Sequence, residues 1–332
     1  MKKALIVNNI GVGNGLMVVP LLKVLEKSFP RVEYYYVDNP FFEIKYFKEK
    51  SRLKNLDGSF DIAWRSFPRK KWSVIIKFIE KNKIDTVINF RNEGPNYDKD
   101  YFAFKEKYKN KVKCWNLDFD AISSRKTNKN IIYDSLRMLK RLGCDIVKFE
   151  PHWLNKELHN DTSYPKVLFY VGSSQKSKRW GIDNWVGLSN KICTDMPSVS
   201  LSLVGGITPK EQVDICLIAD QVIKKCTNSH ISFFVSKDLV KIMHIFSEQD
   251  VVVSNDTFAI HLASALNIPT IGLYFSTDPI VWGGLSDEFY SVKSTVKCDG
   301  VKKNIGNCIH FDKVESKQDF EKLIGAIKNI IQ

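Results

Sequence analysis

Three stretches in the C-terminal half carry residue types that can grip phosphate. Gly172-Ser173-Ser174-Gln175-Lys176-Ser177-Lys178-Arg179-Trp180 follows an apolar run and precedes a helical pattern. Small residues expose backbone N–H groups, hydroxyls can donate, and a lysine can neutralise an anion. Taken alone, such a loop is just as consistent with solvated surface. Val251-Val252-Val253-Ser254-Asn255-Asp256-Thr257-Phe258-Ala259-Ile260-His261 reads as a buried strand running into a helix that bears His261. Asp256 or Thr257 can cap that helix, leaving its other N-terminal amides facing outward, where the helix dipole favours an anion. Capping alone would account for Asp256, and a lone helical histidine is more often structural than catalytic. Gly272-Leu273-Tyr274-Phe275-Ser276-Thr277-Asp278-Pro279, followed by Trp282-Gly283-Gly284, reads as a strand and a capping turn whose hydroxyls could reach the same phosphate region.

Near the start, Gly11-Val12-Gly13-Asn14-Gly15 imitates a dinucleotide-binding fingerprint, with Asp38 placed like a ribose-binding acid. That fingerprint needs a third glycine three positions after the second, for close helix–strand packing, and Leu16 stands there. The simpler reading is a tight turn whose backbone lets a substrate approach a sheet edge. Ligands of open α/β sheets gather at the carboxyl ends of the strands, so this turn is suitably placed.

The elements needed to position these loops alternate, twice over. In the first half, strands are expected at 3–8, 32–37, 84–90 and 111–115, with helices at 16–27, 72–82 and 130–142. Between 150 and 164 a cluster of Pro, Asn, Asp and Ser breaks the pattern, as a linker does. A second cycle follows, with strands at 166–171, 199–204, 231–234, 250–254 and 269–274 and helices at 182–194, 208–223, 238–247, 256–266 and 316–331. Strand–helix alternation calls for parallel sheets with right-handed crossovers. The expected architecture is therefore α/β, with doubly wound domains at 1–155 and 164–332; the last helix is able to return to the first domain.

Composition bounds the function. The 332 residues are 44% hydrophobic and 26% charged, which is globular and not disordered. A formal net charge of +13, from 50 Lys+Arg against 37 Asp+Glu, draws the chain toward anionic partners, although lysine-rich codon usage accounts for it equally well. No RNP-type aromatic motif or Cys/His finger is present, so nucleic acid is not the expected partner. Seven scattered cysteines without a C-x-x-C pair argue against a disulfide framework or a zinc site and fit a reducing compartment. No run reaches the roughly 20 apolar residues of a membrane helix. The apolar run after Lys3 is interrupted by Asn8 and Asn9, too early for a signal core of about 7 to 15 residues. A cytoplasmic protein is the expectation.

In order, these pieces resemble glycosyltransferase family 9, the ADP-heptose:lipopolysaccharide heptosyltransferases. The resemblance rests on Gly-Ser-Ser…Ser-Lys-Arg-Trp, Val-Gly-Gly at 204–206, Ser-Asn-Asp-Thr…His and Thr-Asp-Pro…Trp-Gly, and is looser between 40 and 160. It implies two facing Rossmann-like domains (the GT-B arrangement) with an interdomain cleft, and inverting transfer that needs no metal and no cofactor beyond a nucleotide-sugar donor, ADP-linked in this family. By position, Lys178 would neutralise the donor phosphate, with Ser173 and Ser174 in the same loop. The amides of Asp256, Thr257 and Phe258 would cradle the diphosphate, with His261 beside it. Glu211 would accept from ribose hydroxyls, Thr277 and Asp278 would line the rim, and the Gly11, Gly13, Gly15 loop would face the acceptor. That acceptor would be an anionic lipid-linked or core oligosaccharide of lipopolysaccharide or a related surface glycan, met at the inner face of the inner membrane. Arg69-Lys70-Lys71 and the lysines from Lys105 to Lys113 would favour that surface.

Two departures from the family pattern bear on activity. Asn14 stands where the family has the aspartate that deprotonates the acceptor, and an amide cannot take that proton. Glu93, after the strand at 84–90, is the substitute base in reach by this reading, ahead of Asp118 and Asp120. Phe258 stands where the family prefers glycine, so its ring would narrow access to the diphosphate or stack on the sugar. The transferase therefore competes with a catalytically silent nucleotide-sugar-binding scaffold and with a sugar-nucleotide epimerase.

Overall fold

The computed structural model describes residues 1–7, 12–37, 56–60, 72–90, 99–116, 130–154, 156, 164–173, 175–206, 208–226, 230–236, 238–293 and 317–331. The chain divides into two compact units, Met1–Leu154 and Asn155–Gln332. Gly11, Asp38, Arg69-Lys70-Lys71, Glu93, Asp118, Asp120 and Ser174 lie outside the described residues.

In the first unit β1 (Lys3–Val7), α1 (Val12–Ser28), β2 (Glu33–Val37), β3 (Leu56–Phe60), α2 (Trp72–Asn82), β4 (Thr86–Asn89), α3 (Lys99–Tyr108), β5 (Lys113–Asn116) and α4 (Ile131–Arg141) follow one another. The five strands form a parallel sheet in the order β3-β2-β1-β4-β5. Ala4, Leu5, Ile6 and Val7 of the central strand are wholly buried, as expected of a strand covered on both faces. The glycine-rich segment differs from expectation. α1 already begins at Val12, so Gly13, Asn14 and Gly15 lie in its first turn and not in an open turn. Glycine is a poor helix former, but the residues that follow, including Leu16, Val18, Val19, Leu21 and Leu25, are all buried, and packing outweighs local propensity.

The second unit runs β6 (Lys166–Tyr170), α5 (Ile182–Asp195), β7 (Ser200–Gly205), α6 (Pro209–Ile223), β8 (His230–Val235), α7 (Leu239–Ser247), β9 (Val251–Asn255), α8 (Phe258–Ala265), β10 (Thr270–Tyr274), α9 (Pro279–Trp282), β11 (Phe289–Lys293) and α10 (Lys317–Ile331). All six strands are parallel, in the order β11-β10-β9-β6-β7-β8. The chain proceeds from β6 outward to β8, then returns to the other side of β6 and proceeds to β11. The order thus reverses between β6 and β9, where doubly wound sheets open a ligand crevice at the carboxyl ends. Phe169, Trp180, Trp185, Leu201 and Ile271 pack in one core, joined by Leu323, Ile324 and Ile327 of α10. A salt bridge from Lys328 to Asp195, 2.8 Å long, ties α10 to the end of α5. Both units are thus doubly wound, Rossmann-like α/β layers. Among the described residues no helix is long and apolar enough to cross a membrane.

Four elements were not expected from the sequence: β3, α3, β11 and the short α9, whose stretch reads as a capping turn. β3 and β11 are edge strands, and β3 reads LDGSF, without alternation. α3 is heavily charged, with Phe104 and Tyr108 buried one turn apart.

Candidate functional site

The loops after β6, β7, β9 and β10 carry most of the residues singled out above. β6 ends at Tyr170, and the chain continues through Val171 and Gly172 into a short 3-10 turn at Lys176–Lys178. Ser173 is buried; its hydroxyl donates to the Gln175 carbonyl (3.2 Å) and accepts from the Gln175 N–H (3.3 Å), so it folds the loop onto itself. Arg179 fastens the same loop: Nε donates to the Ser173 carbonyl at 2.7 Å, and the guanidinium lies 3.6 Å from Asp214 on α6. This bracing carries Lys178 to the start of α8.

There Lys178 Nζ meets Asp256 Oδ2 at 2.7 Å. Asp256 is buried and also accepts a hydrogen bond from the Thr277 hydroxyl in the loop after β10. One carboxylate thus joins the loops after β6 and β10, and Ser276 adds a hydroxyl contact to Ser177 at 3.4 Å. The cap of α8 is Thr257, which accepts from the Ala259 N–H at 3.3 Å. The Asp256 N–H is spent in the sheet, bonded to the Leu273 carbonyl at 3.0 Å. Of the three amides expected to face a diphosphate, that one is therefore unable to do so. Among the described residues no acceptor stands opposite the amides of Thr257 and Phe258, which sit at the positive end of the α8 dipole.

The Phe258 ring is half-buried and packs edge-on against Tyr170, with centroids 5.1 Å apart. It is held by protein and not left loose over the backbone. His261 lies on the buried side of α8. Burial pulls its imidazole down to about 4; the Asp256 carboxylate opposes that and the Lys178 ammonium reinforces it. The ring is consequently neutral at pH 7, a donor and acceptor without charge. Burial also pushes the Tyr274 hydroxyl well above its ordinary value, and Asp256 adds to the effect.

Glu211, at the head of α6, is buried and completes a capping box with Thr208. Its Oε2 accepts from the Thr208 N–H (2.9 Å) and hydroxyl (2.6 Å). The carboxyl group fills the space beside two glycines at strand ends: a Cβ on Gly206 would meet it at 2.3 Å, and one on Gly172 would lie 3.0 Å from Oε1 and 2.5 Å from the Gly206 nitrogen. Those two positions are glycine because backbone and carboxylate already occupy the room a side chain would need.

Two expected rim residues have structural partners. Thr277 is bound to Asp256 as described. Asp278 caps α9 through the Ile280 N–H (3.1 Å) and lies 3.7 Å from Lys293 Nζ, so a cap suffices to explain it. In the first unit, Gly13, Asn14 and Gly15 are placed together in the first turn of α1. The site residue that sequence reading passed over is Asn255, fully buried between β9 and β6; it was visible only as one letter of Ser-Asn-Asp-Thr.

Set beside known proteins, residues 148–307 match the family model described as Glycosyltransferase family 9 (heptosyltransferase). A comparison with curated protein sequences returns no match. Among solved structures, a glycosyl transferase family 9 protein from Veillonella parvula is similar with a TM-score of 0.73 and 16% identity, over 99% of this chain and 97% of that one. The ADP-heptose lps heptosyltransferase II of E. coli is similar with a TM-score of 0.64 and 15% identity, over 99% of both chains. The E. coli heptosyltransferase WaaC with ADP-2-deoxy-2-fluoro heptose is similar with a TM-score of 0.59 and 16% identity, over 97% of this chain and 99% of that one. At such identities the structures speak for the fold, and the family model speaks for the segment that holds Lys178, Glu211, Asp256 and His261. Residues 148–307 are thus similar to glycosyltransferase family 9, and the solved structures share the fold of the whole chain.

Proposed function

We propose that the protein is an inverting glycosyltransferase whose second unit binds a nucleotide-diphosphate sugar at the start of α8, with heptose from an ADP-linked donor as the sugar moved. The observation that carries this reading is the meeting of Lys178 with the α8 N-terminus at the sheet's switch point. In the displacement, an acceptor hydroxyl oxygen bonds the anomeric carbon as the bond from that carbon to the diphosphate oxygen breaks, and the hydroxyl proton passes to a carboxylate base, for which Glu93 is our candidate. Charge gathers on the departing diphosphate, where Lys178 and the Thr257 and Phe258 amides are poised to stabilise it without reorganising. Lys178 exchanges Asp256 for the diphosphate, or shares itself between them, while Thr277 keeps Asp256 in place. Glu211, with Oε1 outside the capping box, is the acceptor for ribose hydroxyls. ADP-2-deoxy-2-fluoro heptose in one similar structure supports a donor of this class. We assign the acceptor to the first unit, beside the Gly13–Gly15 turn of α1, and take it to be an anionic saccharide on a lipid.

Incubation with ADP-heptose and lipid-linked or core oligosaccharide acceptors, following labelled sugar, tests the proposal; transfer to acceptor with ADP release is expected. Titration with ADP and UDP in parallel identifies the nucleotide, with ADP the tighter.

Asn14 favours a second reading, a nucleotide-sugar-binding protein without transfer activity. Tight binding of ADP with no label transferred to any acceptor would select it.

A further inference from the structure

We infer that Asn255 is a positioning residue for the phosphate site, setting the gap between the loop that bears Lys178 and the one that bears Asp256. The inference rests on the donor-site reading above. It starts from how the sheet ends. The β6–β9 ladder closes at the Tyr170–Ser254 pair. Beyond it the two backbones turn to opposite neighbours: the Val171 N–H bonds the Val204 carbonyl at 3.0 Å, and the Asp256 N–H bonds the Leu273 carbonyl at 3.0 Å. At the switch point the strands would therefore part.

The Asn255 side chain crosses the opening. Nδ2 donates to the Val171 carbonyl at 2.9 Å and to the Gly172 carbonyl at 3.4 Å. Those carbonyls begin the loop that leads to Lys178, and Asp256 is the residue after Asn255. The amide bridge and the Lys178–Asp256 salt bridge thus close a ring, one buried link below and one charged link above.

The chemistry of the amide explains why this residue and not a packing equivalent. Two carbonyls facing one side-chain end require a nitrogen there, which fixes the orientation of the amide. Its other end, Oδ1, is buried and meets no donor among the described residues. Leucine would fill a similar volume with no orphan oxygen. Asparagine is accordingly retained for its N–H groups, at the cost of an unpaired acceptor. Being fully buried, it acts on a ligand only through the loops it holds.

Asn255→Leu, set against Thr270→Val, tests this. Thr270 begins β10, at the amino end of the same sheet, and its hydroxyl donates to the Ile268 carbonyl at 2.7 Å. Both variants lose a buried hydrogen bond, so both should lower the thermal midpoint. The first readout is hydrogen exchange at the Lys178 and Arg179 amides, which bond the Gln175 and Lys176 carbonyls. Asn255→Leu should speed that exchange about tenfold or more, whereas Thr270→Val should leave it unchanged. The second readout is calorimetric titration with ADP, which Asn255→Leu should weaken about tenfold or more and Thr270→Val should not. Equal exchange in the two variants overturns the inference, as does wild-type ADP affinity in Asn255→Leu. If the wild-type protein takes up no ADP, the donor-site reading falls, and the exchange comparison alone decides the positioning role. Should Asn255→Leu fail to fold, Asn255→Ser keeps a donor too short to span both carbonyls and carries the same readouts.

Discussion

Lys178 and Asp256, 78 positions apart in the chain, form a salt bridge of 2.7 Å in which the lysine is one-fifth exposed and the carboxylate almost wholly buried. This pairing makes removal of the lysine a double injury. Lys178→Met takes a cation from the phosphate site and also strands a buried carboxylate. Unpairing a buried ion costs about 3–5 kcal/mol, and the partial exposure of Lys178 places the loss toward the low end. Lys178→Met should therefore lower both stability and transfer, the latter about 10²-fold or more. Adding Asp256→Asn should recover much of the stability, read by urea unfolding, and none of the transfer. Full activity in Lys178→Met would place the donor elsewhere.

His261 makes acid stability a readout of the same pocket. Its folded value near 4 lies below the ordinary 6.5, so the folded state resists taking up the proton. Its contribution is intact above pH 6.5 and is lost as pH falls toward and through 4, to a total of about 3 kcal/mol. Calorimetric midpoints should drop across that window. His261→Gln, which has no proton to take up there, should show a flatter profile. Parallel profiles for the two proteins would show that His261 is not buried as described.

Gly206→Ala should be costly. The added carbon would stand 2.3 Å from the Glu211 carboxyl group, which must then leave its capping box. Loss of the cap and overpacking together predict about 2–4 kcal/mol by urea unfolding. Gly325→Ala is the counterpart: α10 offers open space at that position, and the substitution should stabilise by about 0.5–1 kcal/mol.

Asn14→Asp places a group that can accept a proton in the first turn of α1. If transfer is limited by the lack of a carboxylate at position 14, the variant should be faster by about 10²- to 10⁴-fold, measured as labelled sugar moved per unit time. A rate below wild type would argue that another carboxylate serves as base and that Asn14 orients the hydroxyl.

Much of the scaffold was legible because long apolar runs and helical periodicity are local signals. Trp72–Asn82 was read to the residue from Val74, Ile75, Ile76, Phe78 and Ile79. Valine-rich β9 was equally plain. β3, α3 and β11 were not, since edge strands and a charged helix draw on neighbours for their stability and leave little pattern of their own.

By itself the sequence determined the class of the fold and the strand ends that bear small and polar residues. It left open which residue capped α8, whether the Asp256 amide was free, and what Asn255 was for. Tertiary structure decided these, because hydrogen bonds across a sheet and charge pairs between loops depend on which strands become neighbours. Thr257 took the cap once Asp256 found Lys178 and Thr277, and the Asp256 amide was claimed by Leu273 on β10.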